Sequence, residues 1–107
     1  MIEVTSDAAR WFKQELGLKS GQSVRLFARY SAGGAIHPGF SLGIQADEPI
    51  SPGISSEAEG ITFYMEDHDK WYLDGYNLKV TYNAGEDDIE YAYLPESAAS
   101  DEAYQSQ

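Results

Sequence analysis

Residues 29–40, RYSAGGAIHPGF, combine three glycines with one of the two histidines of the chain. Gly33, Gly34 and Gly39 permit positive φ and close approach of the backbone, which suits either the cradling of a ligand or a plain chain reversal. His37 precedes a proline and is held extended, so its imidazole could bind a metal or carry a proton. A phosphate-binding loop would need a following helix and usually a lysine, and neither is evident. An exposed histidine in a glycine loop is the simpler interpretation.

A second group of candidate ligands is acidic. Its members are Glu66, Asp67, His68 and Asp69. Three carboxylates around an imidazole could bind a hard or borderline cation. Consecutive residues in a turn diverge, however, and their spacing does not match a calcium-binding loop. We therefore predict a solvated acidic turn at residues 66–69 and another at residues 86–88.

The composition narrows the classes of function. The chain has 107 residues, 18 acidic and 7 basic, with a formal charge of −11 and no cysteine. The lack of cysteine removes disulfides, thiolate catalysis and sulfur-bound metals. The acidic balance argues against binding to nucleic acids or anionic membranes, and it leaves basic proteins or cations as partners.

No pattern of residues points to catalysis or to a membrane. Serines are plentiful, but no nucleophile elbow or triad-like order can be identified, so we expect no catalytic residues and no enzyme activity. No apolar run approaches the length of a membrane span, and the start MIEVTSDAARW lacks the features of a signal peptide. We therefore expect a cytoplasmic protein.

One short helix is predicted near the amino terminus. Thr5 or Ser6 can provide the N-cap oxygen, and Gly17 is a typical C-terminal stop. Helical spacing gathers one apolar stripe, which comprises Ala8, Ala9, Phe12 and Leu16. We expect about three turns, with Trp11 on the flank of the stripe.

The rest of the chain has the patterns of strands and turns. Alternation of apolar and polar residues predicts strands at 24–30, 40–46, 61–65, 78–82 and 89–93. Residues 51–53, Ser-Pro-Gly, predict a turn. Asp74-Gly75 predicts a tight hairpin turn whose first arm is residues 71–73. We expect one β-rich domain over residues 1–94, with antiparallel pairing favoured by short connections and a disordered acidic tail over 95–107.

With these elements placed, the sequence resembles the HesB/IscA-like family of iron–sulfur cluster biogenesis proteins. The matching segments are IEVTSDAARWFKQEL, SVRLFARYSAGGAIHPGFSLGI and DHDKWYLDGYNLKVTY. They resemble the opening strand and helix, the strand–loop–strand unit and a late leucine-x-glycine step before an apolar strand. The resemblance covers residues 1–94 and is strongest to the short, acidic HesB-like proteins of Gram-positive bacteria. It implies a HesB-like domain, a compact barrel or sandwich of mixed short strands.

The resemblance also implies what this chain has lost. Family members bind iron or a cluster through one loop cysteine and a carboxy-terminal Cys-Gly-Cys motif. The loop cysteine aligns with Gly33, and no cysteine follows Tyr93. The resemblance thus favours a non-catalytic protein without a cofactor, which interacts with a protein partner or with itself. The alternative is a mononuclear metal or small-ligand site in the glycine loop, with Gly33, Gly34 and His37.

Overall fold

The computed structural model describes residues 1–34 and 36–96. The elements are β1 (Ile2–Val4), α1 (Ser6–Leu16), β2 (Ser23–Tyr30), β3 (Phe40–Ala46), β4 (Pro52–Ala58), β5 (Ile61–Glu66), a 3-10 helix (Lys70–Leu73), β6 (Tyr76–Asn83) and β7 (Asp88–Pro95). A three-stranded sheet has the order β1-β6-β7, and a four-stranded sheet has the order β3-β2-β5-β4. The predicted β-rich fold with one amino-terminal helix is confirmed.

Local capping explains the limits of α1. The Thr5 hydroxyl accepts a hydrogen bond from the Ala8 amide at 3.3 Å, and Gly17 ends the helix with a φ of 63°. The buried helix residues are Ala8, Ala9 and Phe12. Leu16 was predicted to join this stripe, but it is 39% exposed because it lies in the last turn, just before the chain reverses.

A single apolar core lies between α1, the 3-10 helix and the inner faces of both sheets. Phe12 of α1 packs edge-on against Phe63 of β5, with ring centroids 5.3 Å apart. The opposite face of β5 is covered as well, since Tyr64 is fully buried. Residues 47–51 provide that cover, because they connect β3 and β4, which form opposite edges of the sheet.

The strand pairing is mixed. Three of the five pairings are antiparallel, whereas β1–β6 and β2–β5 are parallel. The expectation that short connections favour antiparallel pairing therefore holds for the consecutive pairs β2–β3, β4–β5 and β6–β7. The parallel pairs join strands that are distant in sequence, which local patterns do not reveal.

Two predicted elements are wrong. Pro52 and Gly53 begin β4 instead of forming a turn, and a register shift lies between Pro52 and Ile54. Because β4 is an edge strand, the missing amide of its proline is tolerated. Residues 71–73 belong to the 3-10 helix and not to a hairpin arm. A three-residue apolar run is too short for its period to distinguish the two structures.

The predicted tail begins within the described part of the chain. Pro95 closes β7, and the Glu96 amide donates to the Gly75 carbonyl at 2.9 Å. The remainder of that prediction, residues 97–107, lies outside the described residues.

Candidate functional site

The glycine loop connects the two strands of a long hairpin. The β2–β3 ladder ends at the pair Tyr30 and Phe40, and the Ser31 amide donates to the Gly39 carbonyl at 2.9 Å. Gly39 has a φ of 86°, a backbone conformation that residues other than glycine rarely adopt. The strands thus present residues 31–34 and 36–39 at the end of the hairpin.

Gly33 and Gly34, both predicted as loop ligand positions, differ in their surroundings. Gly33 is exposed, and a Cβ placed on it would meet no atom within 4 Å. A Cβ on Gly34 would collide with the carbonyl oxygens of His37 and Phe40, the second at 2.7 Å. Gly33, where the resemblance places the loop cysteine, therefore has space for a side chain, whereas Gly34 is needed for close backbone packing.

The His37 imidazole points at the 3-10 helix and is half-buried rather than exposed. Its Nε2 lies 3.1 Å from the Tyr72 carbonyl oxygen, and its ring centroid is 5.2 Å from that of Trp71. A carbonyl only accepts, so Nε2 must carry a proton. In the neutral ring, the lone pair that remains for a metal is then on Nδ1.

Aromatic rings join the hairpin end to the 3-10 helix. Ring centroids are 5.0 Å apart between Tyr30 and Phe40, and 5.2 Å apart between Phe40 and Trp71. Tyr30 is 87% exposed and Trp71 is 38% exposed. We call Tyr30, Phe40 and Trp71 the aromatic tip. The sequence patterns placed Trp71 in a hairpin arm and did not identify this surface, because its members are far apart along the chain.

The acidic turn at residues 66–69 is only partly solvated, which corrects the prediction. Asp67 and His68 are exposed, but Glu66 is 5% and Asp69 is 7% exposed. The Glu66 carboxylate accepts from the Ser51 amide at 3.0 Å and from the neighbouring Ile50 amide at 3.1 Å. Glu66 therefore anchors the segment that crosses the sheet.

Asp69 is neutralised by Arg25 of β2. The guanidinium donates to the Asp69 carboxylate at 2.8 Å and also approaches His68 Nε2 at 3.3 Å. The hydrogen bond to Asp69 raises the pKa of Arg25. The two buried carboxylates of this turn thus have structural partners, and the turn presents His68 and Asp67 to solvent.

The second acidic turn, residues 86–88, is exposed as predicted. The Tyr82 hydroxyl donates to Asp87 at 2.6 Å. Tyr82 and Asp87 also border a cavity of about 360 Å³ between α1 and the β6–β7 turn, which is lined by Asp7, Arg10, Trp11, Gln14, Tyr82 and Asp87. The glycine loop does not contribute to this cavity.

Within residues 1–34 and 36–96, no group of three histidine, aspartate or glutamate side chains could hold a metal ion. In the same ranges, no helix has the length and apolar character needed to cross a membrane.

Known proteins resemble this chain in fold and in sequence. No family model matches the chain. A crystal structure of IscA with a [2Fe-2S] cluster aligns with a TM-score of 0.58 and 17% identity, over 90% of this chain and 86% of that one. This likeness shows a HesB/IscA-like fold.

Two proteins found by sequence are more similar to the chain than IscA is. A Bacillus subtilis protein named pyruvate dehydrogenase inhibitor is 42% identical over 92 residues, which are 86% of this chain and 97% of the relative. An uncharacterized Staphylococcus saprophyticus protein is 34% identical over 94 residues, 85% of this chain and 96% of that protein. The chain therefore has a HesB/IscA-like fold and belongs to the family that includes the Bacillus subtilis protein named pyruvate dehydrogenase inhibitor.

Proposed function

We propose that this chain binds pyruvate dehydrogenase and lowers its activity through protein contact, without catalysing a reaction itself. The observation that carries the proposal is the 42% identity to the Bacillus subtilis pyruvate dehydrogenase inhibitor across 97% of that protein. The match spans nearly the whole relative, so a surface that the relative uses for an interaction can be retained. We place this activity in the cytoplasm.

The chemistry of the chain supports a role in recognition. The sequence contains no cysteine, and Gly33 stands where the resemblance places the loop cysteine of cluster carriers. A chain without thiolates lacks the usual ligands of an iron–sulfur cluster. The exposed aromatic tip and the surface charge are then the features through which the protein can act on a partner.

A direct assay tests the proposal. Purified chain is titrated into purified Bacillus subtilis pyruvate dehydrogenase while the rate of pyruvate oxidation is followed. Binding is measured in parallel by isothermal titration calorimetry. We expect saturable inhibition at the same stoichiometry as binding. An unchanged rate and no binding heat would overturn the proposal, and the mass of the free chain in solution would show whether it self-associates.

The second function predicted from the sequence, a mononuclear metal or small-ligand site in the loop, stays a prediction. The contact of His37 Nε2 with the Tyr72 carbonyl restricts such a site to Nδ1 of the neutral ring. Titration with ferrous iron, zinc and manganese would support it if binding is saturable and weakened by His37→Ala. Equal binding by both proteins would argue against it.

A further inference from the structure

Strand β7 forms a long and regular edge of the three-stranded sheet. The order β1-β6-β7 leaves one side of β7 without a neighbouring strand in the described part of the chain. Its ladder with β6 runs without a register shift from the pair Tyr76 and Pro95 to the pair Asn83 and Asp88. An edge of eight residues with regular pairing can accept a further strand.

The other sheet edges have different properties. β4 begins with Pro52 and has a register shift, two features that hinder pairing with another chain. β1 has only three residues and packs beside β4. β3 has seven residues, FSLGIQA, none of which is charged. Among the long edges, β7 is therefore the one whose side chains can select a partner by charge.

Two backbone amides of β7 point away from the sheet. The Glu96 amide donates to the Gly75 carbonyl at 2.9 Å, in the direction of β6. Backbone groups alternate in direction along a strand, so every second residue before Glu96 also points its groups at β6. The amides and carbonyls of Tyr91 and Tyr93 lie between these positions and point outward. Within residues 1–34 and 36–96, neither of these amides donates to another backbone group.

The solvent face of β7 carries carboxylates without cationic partners. Asp88 and Glu90 are exposed, whereas Tyr91 and Tyr93 on the opposite face are half-buried against the core. Glu90 accepts a hydrogen bond from the Asn83 side-chain amide at 3.1 Å, and it makes no ion pair with any described residue. In a strand added to β7, the residue opposite Glu90 shares this solvent face. A lysine or arginine there stabilises the pairing, and a carboxylate weakens it.

The same charges argue against two other occupants of the edge. A second copy paired through β7 would bring Asp88, Glu90 and Glu96 of both chains to one edge, in a molecule whose formal charge is −11. The last segment of the chain, residues 97–107, contains two acidic residues and no lysine or arginine. Neither occupant complements the carboxylates of β7.

We infer that the outer edge of β7 binds an extended segment of a partner protein, in which lysine or arginine alternates with apolar residues. The partner backbone accepts from the outward amides of Tyr91 and Tyr93. Its basic side chains lie beside Asp88 and Glu90, and its apolar side chains continue the tyrosine face. The inference rests on the proposed function in one respect, because it takes this segment to belong to pyruvate dehydrogenase.

A peptide without any enzyme tests the edge directly. The probe has ten residues in which lysine alternates with valine, and it is added to the intact chain while amide hydrogen exchange is followed by NMR. We expect slower exchange at the Tyr91 and Tyr93 amides. The outward amides of Leu42 and Ile44 on the uncharged edge β3 should be unaffected. Slower exchange at β3, or at neither edge, would overturn the inference.

Charge reversal tests the selectivity. Glu90→Lys should weaken binding of the lysine–valine peptide at least about threefold and should strengthen binding of a matched glutamate–valine peptide. The control is Glu57→Lys, which makes the same change of net charge at an exposed residue of β4. Circular dichroism verifies that both variants are folded. Equal effects of the two variants would mean that net charge, and not the β7 edge, attracts the peptide.

The enzyme assay separates this inference from the proposed function. If the lysine–valine peptide fails to bind but the chain still inhibits Bacillus subtilis pyruvate dehydrogenase, only the docking edge is wrong. If the peptide binds β7 as described but the enzyme is neither bound nor inhibited, the edge stands and the proposed function fails.

Discussion

The Arg25 guanidinium lies 2.8 Å from the Asp69 carboxylate and connects strand β2 to the turn that follows β5. The Asp69 carbonyl in turn accepts the Tyr72 amide at 3.1 Å, at the start of the 3-10 helix that carries Trp71. The ion pair therefore holds the start of the 3-10 helix, and with it Trp71, against strand β2.

Replacement of Asp69 by asparagine should destabilise the fold. The change leaves a largely buried guanidinium without its counter-charge, and we expect a loss of about 2 kcal/mol in the free energy of unfolding. Urea denaturation measures it. The control is Glu3→Gln, whose partner Lys79 is 3.9 Å away on the surface, and it should change stability by less than about 0.5 kcal/mol. Equal losses of stability in the two variants would show that the Arg25–Asp69 pair contributes no more than a surface ion pair.

Glu66→Ala should loosen the segment that crosses the four-stranded sheet. The substitution leaves the Ile50 and Ser51 amides without their acceptor and removes the link between this segment and β5. Hydrogen exchange at these two amides should accelerate. Glu57→Ala, at an exposed site on β4, should leave their exchange unchanged. Unaltered exchange in Glu66→Ala would mean that other contacts hold the segment.

The two loop glycines should respond differently to a methyl group. Gly34→Ala forces the backbone apart at His37 and Phe40, so we expect it to lower stability by about 1–3 kcal/mol and to weaken partner binding. Gly33→Ala should be tolerated, because nothing lies within 4 Å of the added atom. Thermal unfolding and the binding assay compare the two variants. A reversed order would show that the loop adopts another conformation.

Alkaline pH should reduce stability through the half-buried Tyr91. Burial raises the pKa of Tyr91 from 10.0 to about 12, and the nearby Asp88 acts in the same direction. The unfolded chain loses this proton first, so the stabilisation is complete below pH 10 and is lost between about pH 10 and pH 12. Urea midpoints across this range should fall less steeply in Tyr91→Phe. Tyr30→Phe, at an exposed phenol, should follow the wild type.

Local signals in the sequence predicted much of the fold. The α1 boundaries follow from Thr5 and Gly17, which act on their immediate neighbours, and the alternation in β2 and β3 reports two faces of one hairpin. Strand β4 is not predicted from the sequence, because Pro52 and Gly53 are residues typical of turns. A strand tolerates these residues when it lies at the edge of a sheet, as β4 does. The sequence does not reveal that edge position.

The candidate site depended on contacts that sequence spacing does not reveal. Glu66 and Asp69 have the composition of a solvated turn, yet their partners come from 15 to 44 residues away. Likewise, His37 and Trp71 lie in different segments of the sequence, and only the fold brings their rings together. Residue types thus identified the candidates, whereas burial and partners required tertiary structure.

The parallel pairing of β1 with β6 has a consequence for synthesis of the protein. Ile2 aligns with Leu78 and Val4 with Val80, so β1 leaves the ribosome well before its partner β6 has been made. Pairing across such a separation is slow, since a long loop must close first. The amino-terminal strand therefore stays available to chaperones, or to other nascent chains, for most of translation.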